Sequence, residues 1–385
     1  MVRQAEATVR SGKRSSFRTD GWCQFPAATL AVVADRLSVP LSVLDLCPVP
    51  TGESARGALR RSIDLAGHAE RWGFRRFWVA EHHNMPGIAS SAPAVLAGQV
   101  ASATSAIRVG SGGVMLPNHA PLTVAEQFGT LEAMHPGRID LGIGRAPGTD
   151  RETARALRRG PAGQQAQDFP AQLSELRGYF ADQPAQDAPH RQVRAIPAEG
   201  NRPVVWLLGS TGYGAEIAGL LGLPFAFAYQ ISAANAKPAL ALYRRAFKPS
   251  AVLAEPYCLM SVFALCADDA AAARWLHGPS RLSALRERTG HPSTLPSPEE
   301  AAAYQYSAAE QDVIAETTAS HVVGDPDAVV ERLGELAAAA GADELMVTTS
   351  TFSHADRLAS YELLARAAAG RPGRQGQLSS ASFER

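Results

Sequence analysis

Glu81-His82-His83-Asn84 brings one carboxylate and two imidazoles together directly after an apolar run, Phe77-Trp78-Val79-Ala80. An unperturbed histidine titrates at about pH 6.5, so one of this pair suits proton transfer or hydrogen-bond donation near neutral pH. In an extended chain Glu81 and His83 point to one side and His82 to the other. The three therefore do not bind one metal together, and no HxH or HExxH pattern supplies further ligands. The competing role for these residues is the polar capping of a strand end.

Three further words are built for close approach or for holding an anion. Gly110-Ser111-Gly112-Gly113 lies at or inside a strand-like run, where glycine is unfavourable because it adds backbone entropy and packs nothing. A flat ring pressed on the backbone, a bulge, a strained peptide or a bend at a barrel corner would each account for the missing side chains. Leu208-Gly209-Ser210-Thr211-Gly212-Tyr213 joins Val204-Val205-Trp206-Leu207 to a helix. N–H groups and hydroxyls at a helix start make a phosphate cradle, with an ordinary helix cap as the alternative. The word is neither a GxxxxGKS loop nor a GxGxxG fingerprint. Arg145, after Leu141-Gly142-Ile143-Gly144, offers a bidentate clamp for that phosphate or for a substrate carboxylate, or else an ion pair. Thr123-Val124-Ala125-Glu126 reads as a capping box, and Asn118-His119 as a loop pair within reach of a ligand.

These words need a scaffold that gathers strand ends. Short β-branched or aromatic runs predict strands over Leu41 to Asp45, Phe77 to Glu81, Ile107 to Val114, Ile139 to Ile143, Val204 to Leu208, Phe225 to Ala228, Leu259 to Leu265 and Glu344 to Thr348. Between them, apolar residues recurring every three or four positions predict helices over Ala58 to Trp72, Pro93 to Ala103, Val124 to Met134, Ala215 to Leu221, Lys237 to Phe247 and Ala328 to Ala340. Gly73, Gly222 and Gly341 fall just past helix ends, where a positive φ is wanted. Eight strands alternating with helices predict an α/β fold, a (β/α)8 TIM barrel, whose catalytic groups collect at the carboxyl ends of the strands. The spare length falls into insertions in the βα loops, Ala146 to Gln167 and Arg286 to Thr318, expected to be lids, binding loops or local helices.

Residues 1–38 read as a poorly ordered N-terminal extension, 39–369 as the barrel, and 370–385, rich in Gly, Ser, Arg and Gln, as a disordered tail. The chain of 385 residues has 46% hydrophobic and 19% charged residues, the composition of a soluble globular protein. Its 37 basic and 37 acidic residues leave no net field to favour nucleic acid or an acidic membrane. Cys23, Cys47, Cys258 and Cys266 are scattered without metal spacing and read as free thiols in a reducing, cytoplasmic setting. The apolar stretch Ala27 to Ala34 is cut short by Asp35 and Arg36 and is too weak for an export signal.

With those residues in place, the chain resembles the bacterial luciferase-like flavin monooxygenases over about residues 41 to 369. The words Ala80-Glu81-His82-His83-Asn84-Met85, Gly110 through His119, Pro136-Gly137-Arg138-Ile139-Asp140-Leu141-Gly142 and Trp206-Leu207-Leu208-Gly209-Ser210 are most similar to one branch. That branch holds the YhbW-type proteins and the luciferase-like oxygenase of mensacarcin biosynthesis.

The resemblance implies a luciferase-like barrel that binds reduced FMN, supplied by a separate NAD(P)H-dependent flavin reductase, and uses O2 through a flavin peroxide to oxygenate a small organic substrate. By the same resemblance His82 takes the place of a histidine that assists proton transfer, with Glu81 and His83 beside it. Ser111 and the Gly112-Gly113 pair, where the family holds a cis peptide, fall beneath the flavin ring. Arg145, Ser210 and Tyr213, with Leu208, Gly209 and Thr211 around them, match the FMN-phosphate positions. Tyr213 departs from a shorter hydroxyl residue, and a second phosphate arginine has no clear counterpart, Arg158 and Arg159 being the nearest candidates. Tyr229-Gln230-Ile231 replaces a Ser-His-Phe word after the sixth strand, and residues 1–38 have no counterpart. A homodimer through the helices near Ala58 to Trp72 and Val124 to Met134 is expected. Two other functions share these features: hydride transfer with the deazaflavin F420, and flavin binding without turnover.

Overall fold

In the computed structural model of the chain, the described residues are 36–146, 148–157, 168–181 and 192–370. The expectations for the segment before residue 36, for Cys23, for Arg158 and Arg159, and for the tail beyond residue 370 lie outside them. Among the described residues nine strands run β1 (Leu41–Asp45), β2 (Arg76–Val79), β3 (Arg108–Met115), β4 (Ile139–Gly144), β5 (Val204–Gly209), β6 (Phe225–Ala228), β7 (Cys258–Cys266), β8 (Val322–Gly324) and β9 (Glu344–Thr348). Eight of them close a parallel barrel in the order β1-β2-β3-β4-β5-β6-β7-β9, with β9 paired back to β1. The ninth, β8, pairs only with the last residues of β7, Ala264 to Cys266.

The strands are apolar almost throughout because both faces are covered, one by helices and one by the barrel interior. In helix Ala55–Trp72 the buried residues Ala58, Ser62, Leu65, Ala66 and Ala69 form one stripe. Ser54 caps its start by accepting from the Gly57 N–H, and Gly73 ends it at φ 87°. Helices begin earlier than their apolar pattern because the start is set by caps and prolines, Ser54 here and Pro121 in Pro121–Met134. Thr123 and Glu126 are consequently both inside the helix and form no capping box; that motif occurs instead at Ser307 and Glu310.

The barrel interior is layered by the two-residue alternation of the strands. At the amino end Arg76, Asp140 and Glu344 are buried together, with Arg76 Nη1 2.8 Å from Asp140 and Arg76 Nε 2.9 Å from Glu344. Arg108 donates to the other Asp140 oxygen at 2.6 Å, and Tyr257 donates to Glu344 at 2.6 Å. Burial alone would raise the Asp140 pKa, but the Arg76 and Arg108 guanidiniums hold its carboxyl below the ordinary carboxylate value. Above this layer Leu44, Trp78, Ala80, Trp206, Ala226, Leu259 and Met346 form an apolar storey, with the two indoles edge to face at 5.2 Å.

Strand β3 carries the glycine word, and its pairing with β4 slips between Ser111 and Val114. The strand is therefore irregular at the glycine word, in keeping with the bulge among the sequence alternatives. Ser111 Oγ bridges the gap, accepting from Gly142 N at 3.0 Å and donating to Gly142 O at 3.0 Å. A Cβ on Gly142 would lie 2.1 Å from the Ser111 carbonyl, so the two strands meet there only without a side chain. The Gly112-Gly113 peptide is cis. Ser111→Ala leaves the buried Gly142 amide without its partner and is expected to cost about 1–3 kcal/mol, read as a lowered thermal midpoint; an unchanged midpoint would contradict the stapling role.

Candidate active site

At the carboxyl ends of the strands the barrel opens into a cavity of about 560 Å³, within the size range of cofactor sites. Its floor is the Trp78, Leu259 and Met346 storey. His82, at the end of β2, faces the cavity. Its Nδ1 is buried without a hydrogen-bond partner, and burial, with His83 next to it, lowers its pKa below 6.5. A neutral imidazole thus lines the cavity, with its Nδ1 buried and unpaired.

Glu81 and His83 do not line the cavity. They turn to the other side, as the alternation of an extended chain requires. Glu81 Oε1 receives His83 Nε2 at 2.9 Å, His119 Nε2 at 2.9 Å and Asn118 Nδ2 at 3.2 Å, while Oε2 accepts from the Met115 N–H at 3.0 Å. Burial works to raise its pKa, but those partners, His119 foremost, keep it low. Asn118 and His119, expected within reach of a ligand, instead hold Glu81 and lock the end of β2 to the loop after β3. This cluster fixes the wall that carries His82 and Met115.

The remaining sequence candidates are brought to one side. Gly112 lines the cavity from β3, whereas Ser111 and Gly113 lie behind the surface. A Cβ on Gly112 would lie 2.6 Å from Leu44, so the backbone itself forms this part of the wall. Arg145, Leu208, Gly209, Ser210, Thr211 and Tyr213 all line the cavity. Thr211 is the N-cap of helix Gly212–Leu220, yet its side chain makes no capping bond. Arg145 Cζ lies 4.4 Å from the centre of the Tyr213 ring, and Tyr213 is 40% exposed. An uncommitted hydroxyl, helix N–H groups and a guanidinium stacked on an aromatic ring thus converge at the mouth, the donor set that a phosphate monoester takes.

The opposite wall was not legible in the sequence. Helix Ala270–Arg288 lays Ser280, Ser283, Ala284 and Glu287 along the cavity, spaced as one helical face. Helices Pro298–Ala303 and Ala308–Thr318 occupy the predicted insertion. Its loop is tied to the one after β1, since Leu295 N donates to Val49 O at 2.9 Å and Thr51 N to Leu295 O at 2.8 Å. Gly87 lets the β2 loop meet this segment, because a Cβ there would lie 2.6 Å from the Ser293 carbonyl. In the other predicted insertion, helix Arg151–Leu157 follows Asp150, which accepts from the Glu152 and Thr153 N–H groups and from Asn84 Nδ2.

The family profile for luciferase-like monooxygenase matches residues 39–344, and the chain belongs to that family. YvbT of Bacillus subtilis (strain 168) is 50% identical over 325 residues, covering 84% of this chain and 95% of its own. The luciferase-like monooxygenase of Escherichia coli (strain K12) is 44% identical over 326 residues, covering 85% and 96%. Among solved structures, apo-MsnO8 superposes with a TM-score of 0.76 at 36% identity, covering 86% of this chain and 97% of its own. Among the described residues no helix is long and apolar enough to cross a membrane.

Proposed function

We propose that the protein is an FMNH2-dependent monooxygenase of a two-component system that adds one oxygen atom from O2 to a small organic substrate. The observation that carries this reading is the convergence, in one cavity, of a phosphate-type cradle (Arg145, Ser210, Thr211, Tyr213), a bare peptide wall at Gly112 and an unpartnered neutral His82. When bound, reduced FMN supplies the electrons that activate O2, the second oxygen atom leaving as water. The cradle residues hold the phosphate at the mouth, Gly112 admits a flat ring to the backbone, and the apolar floor keeps water from the reacting side. Neutral His82 is placed to take up or return a proton. A separate NAD(P)H-dependent reductase, a cytoplasmic setting and a homodimer belong to the same reading; Met134, 65% exposed on helix Pro121–Met134, leaves apolar surface on one of the expected pairing helices.

An anaerobic titration with reduced FMN, reduced riboflavin and reduced F420 tests the cofactor. FMN is expected to bind more tightly than riboflavin, and Arg145→Met to erase about ten- to hundredfold of that preference, the value of a charge-assisted hydrogen bond. Binding of F420 alone would move the protein to hydride transfer, and binding of none would end the flavin reading. Oxygen-18 from O2 should then appear in the product.

A further inference from the structure

Strand β8 exists to bring one residue alongside β7. Pairing of Val322 with Ala264 places His321 next to Phe263, and their rings stack at 4.0 Å with 19° between planes. His321 Nδ1 is 2.9 Å from His277 Nε2, so the pair shares one proton between them. The His321 Nε2 has no hydrogen bond among the described residues, and His321 and Phe263 both line the cavity. Burial lowers the pKa of His277 to about 3, with His321 and Arg281 adding to it, and that of His321 to about 4. Both rings are therefore neutral. Ser283 Oγ, buried with no partner, is on the helix face that lines the same cavity. Ser280 is already committed, donating to the Ser350 carbonyl.

By strand order β7, which carries Phe263, stands across the barrel from β3, which carries Gly112 and pairs with β4, the strand that ends just before Arg145. We propose that Phe263, Ser283 and His321 form the subsite that receives a hydroxyl or carbonyl group on an uncharged, otherwise apolar substrate. Each of the two free polar atoms can complete a hydrogen bond to such a group. A carboxylate placed there would be desolvated without a cation in contact: Arg145, across the cavity, is the only lysine or arginine among the described cavity-lining residues, and Arg281, although it acts on His277, does not line the cavity. The assignment rests on the cavity being the oxygenase site, but its test does not require flavin.

Calorimetric binding of 4-ethylphenol, ethylbenzene and 4-ethylbenzoate near neutral pH reads the subsite directly. The phenol is expected to bind at least about tenfold more tightly than either of the others, because buried polar groups left unpaired penalise the wrong ligand. Ser283→Ala removes a hydroxyl that bonds to nothing in the folded protein, so it should leave the melting temperature unchanged and weaken the phenol about three- to tenfold. His321→Phe should keep the stack on Phe263 and abolish preference for the phenol over ethylbenzene. Equal or tighter binding of the benzoate, no binding of any probe, or phenol affinity unchanged in Ser283→Ala would overturn the assignment. Reduced FMN titrated into the same samples separates the two readings: phenol selectivity without FMN binding sinks the oxygenase function and leaves the subsite, and the converse does the reverse.

Discussion

Asp140→Ala is expected to lower stability by about 3–5 kcal/mol, the cost of leaving buried guanidiniums without their carboxylate. Asp140 is fully buried and receives Arg76 Nη1, Trp78 Nε1 and Arg108 Nη2 at 2.8, 3.0 and 2.6 Å. Its removal leaves Arg76 with Glu344 alone and frees the indole that floors the cavity. The sign with pH is fixed by the direction of the shift. The folded pKa lies below the ordinary 3.8, so the carboxylate stabilises the fold at all pH above that value and loses its contribution as pH falls through the folded pKa. Thermal melts of the wild type and Asp140→Asn should therefore differ most above about pH 5 and converge in stronger acid. A gap that stays constant into acid would show that the charge is not what stabilises this layer.

His82→Ala is expected to slow oxygenation about 10²- to 10⁴-fold, the usual value of a positioned proton-transfer group, while reduced FMN binds nearly as before. Because burial, with His83 next to it, holds the imidazole below pH 6.5, it is neutral at neutral pH and able to accept a proton. As pH falls through its pKa the ring becomes charged, so kcat/KM should show an acidic limb below pH 6.5 that the alanine variant lacks. Product carrying oxygen-18 is the readout. Unchanged turnover would remove His82 from the reaction and return it to the role of a cavity wall.

The ring of eight strands was legible because each is a short apolar run closed by glycine or polar residues, and because the intervening stripes keep helical spacing. Strand β1 and the pair β6 and β9 begin and end where the pattern places them. Strand β8 escaped since Val322-Val323-Gly324 is too short to show alternation, although Asp325 and Pro326 behind it carry a cap and a first-turn proline. With β8 went His321, and with the interior of helix Ala270–Arg288 went His277 and Ser283, because their roles depend on which strands adjoin. The outward turn of Glu81 and His83 followed from alternation alone; that Glu81 bonds with Asn118 and His119 of the loop after β3, and His83 with Glu81 and Thr149, is tertiary and left no local mark. The same is true of the Arg76, Asp140 and Glu344 layer, whose members stand far apart in the chain.

The excursion from β7 to β8 leaves and re-enters the barrel at one point, where the Ala267 N–H meets the Gly324 carbonyl at 3.1 Å. Lengthening a loop whose ends are already joined costs little, since closure entropy grows only with the logarithm of its length. The segment carrying His277, Ser283 and His321 is thus a cassette. Arg145, Ser210 and His82 stand on other loops, after β4, β5 and β2, while the segment's own ties to the barrel rim run through Leu295 to the loop after β1 and through Ser293 to Gly87. New side chains in this segment would reshape one wall of the cavity while the pairing of the eight barrel strands beneath it is kept.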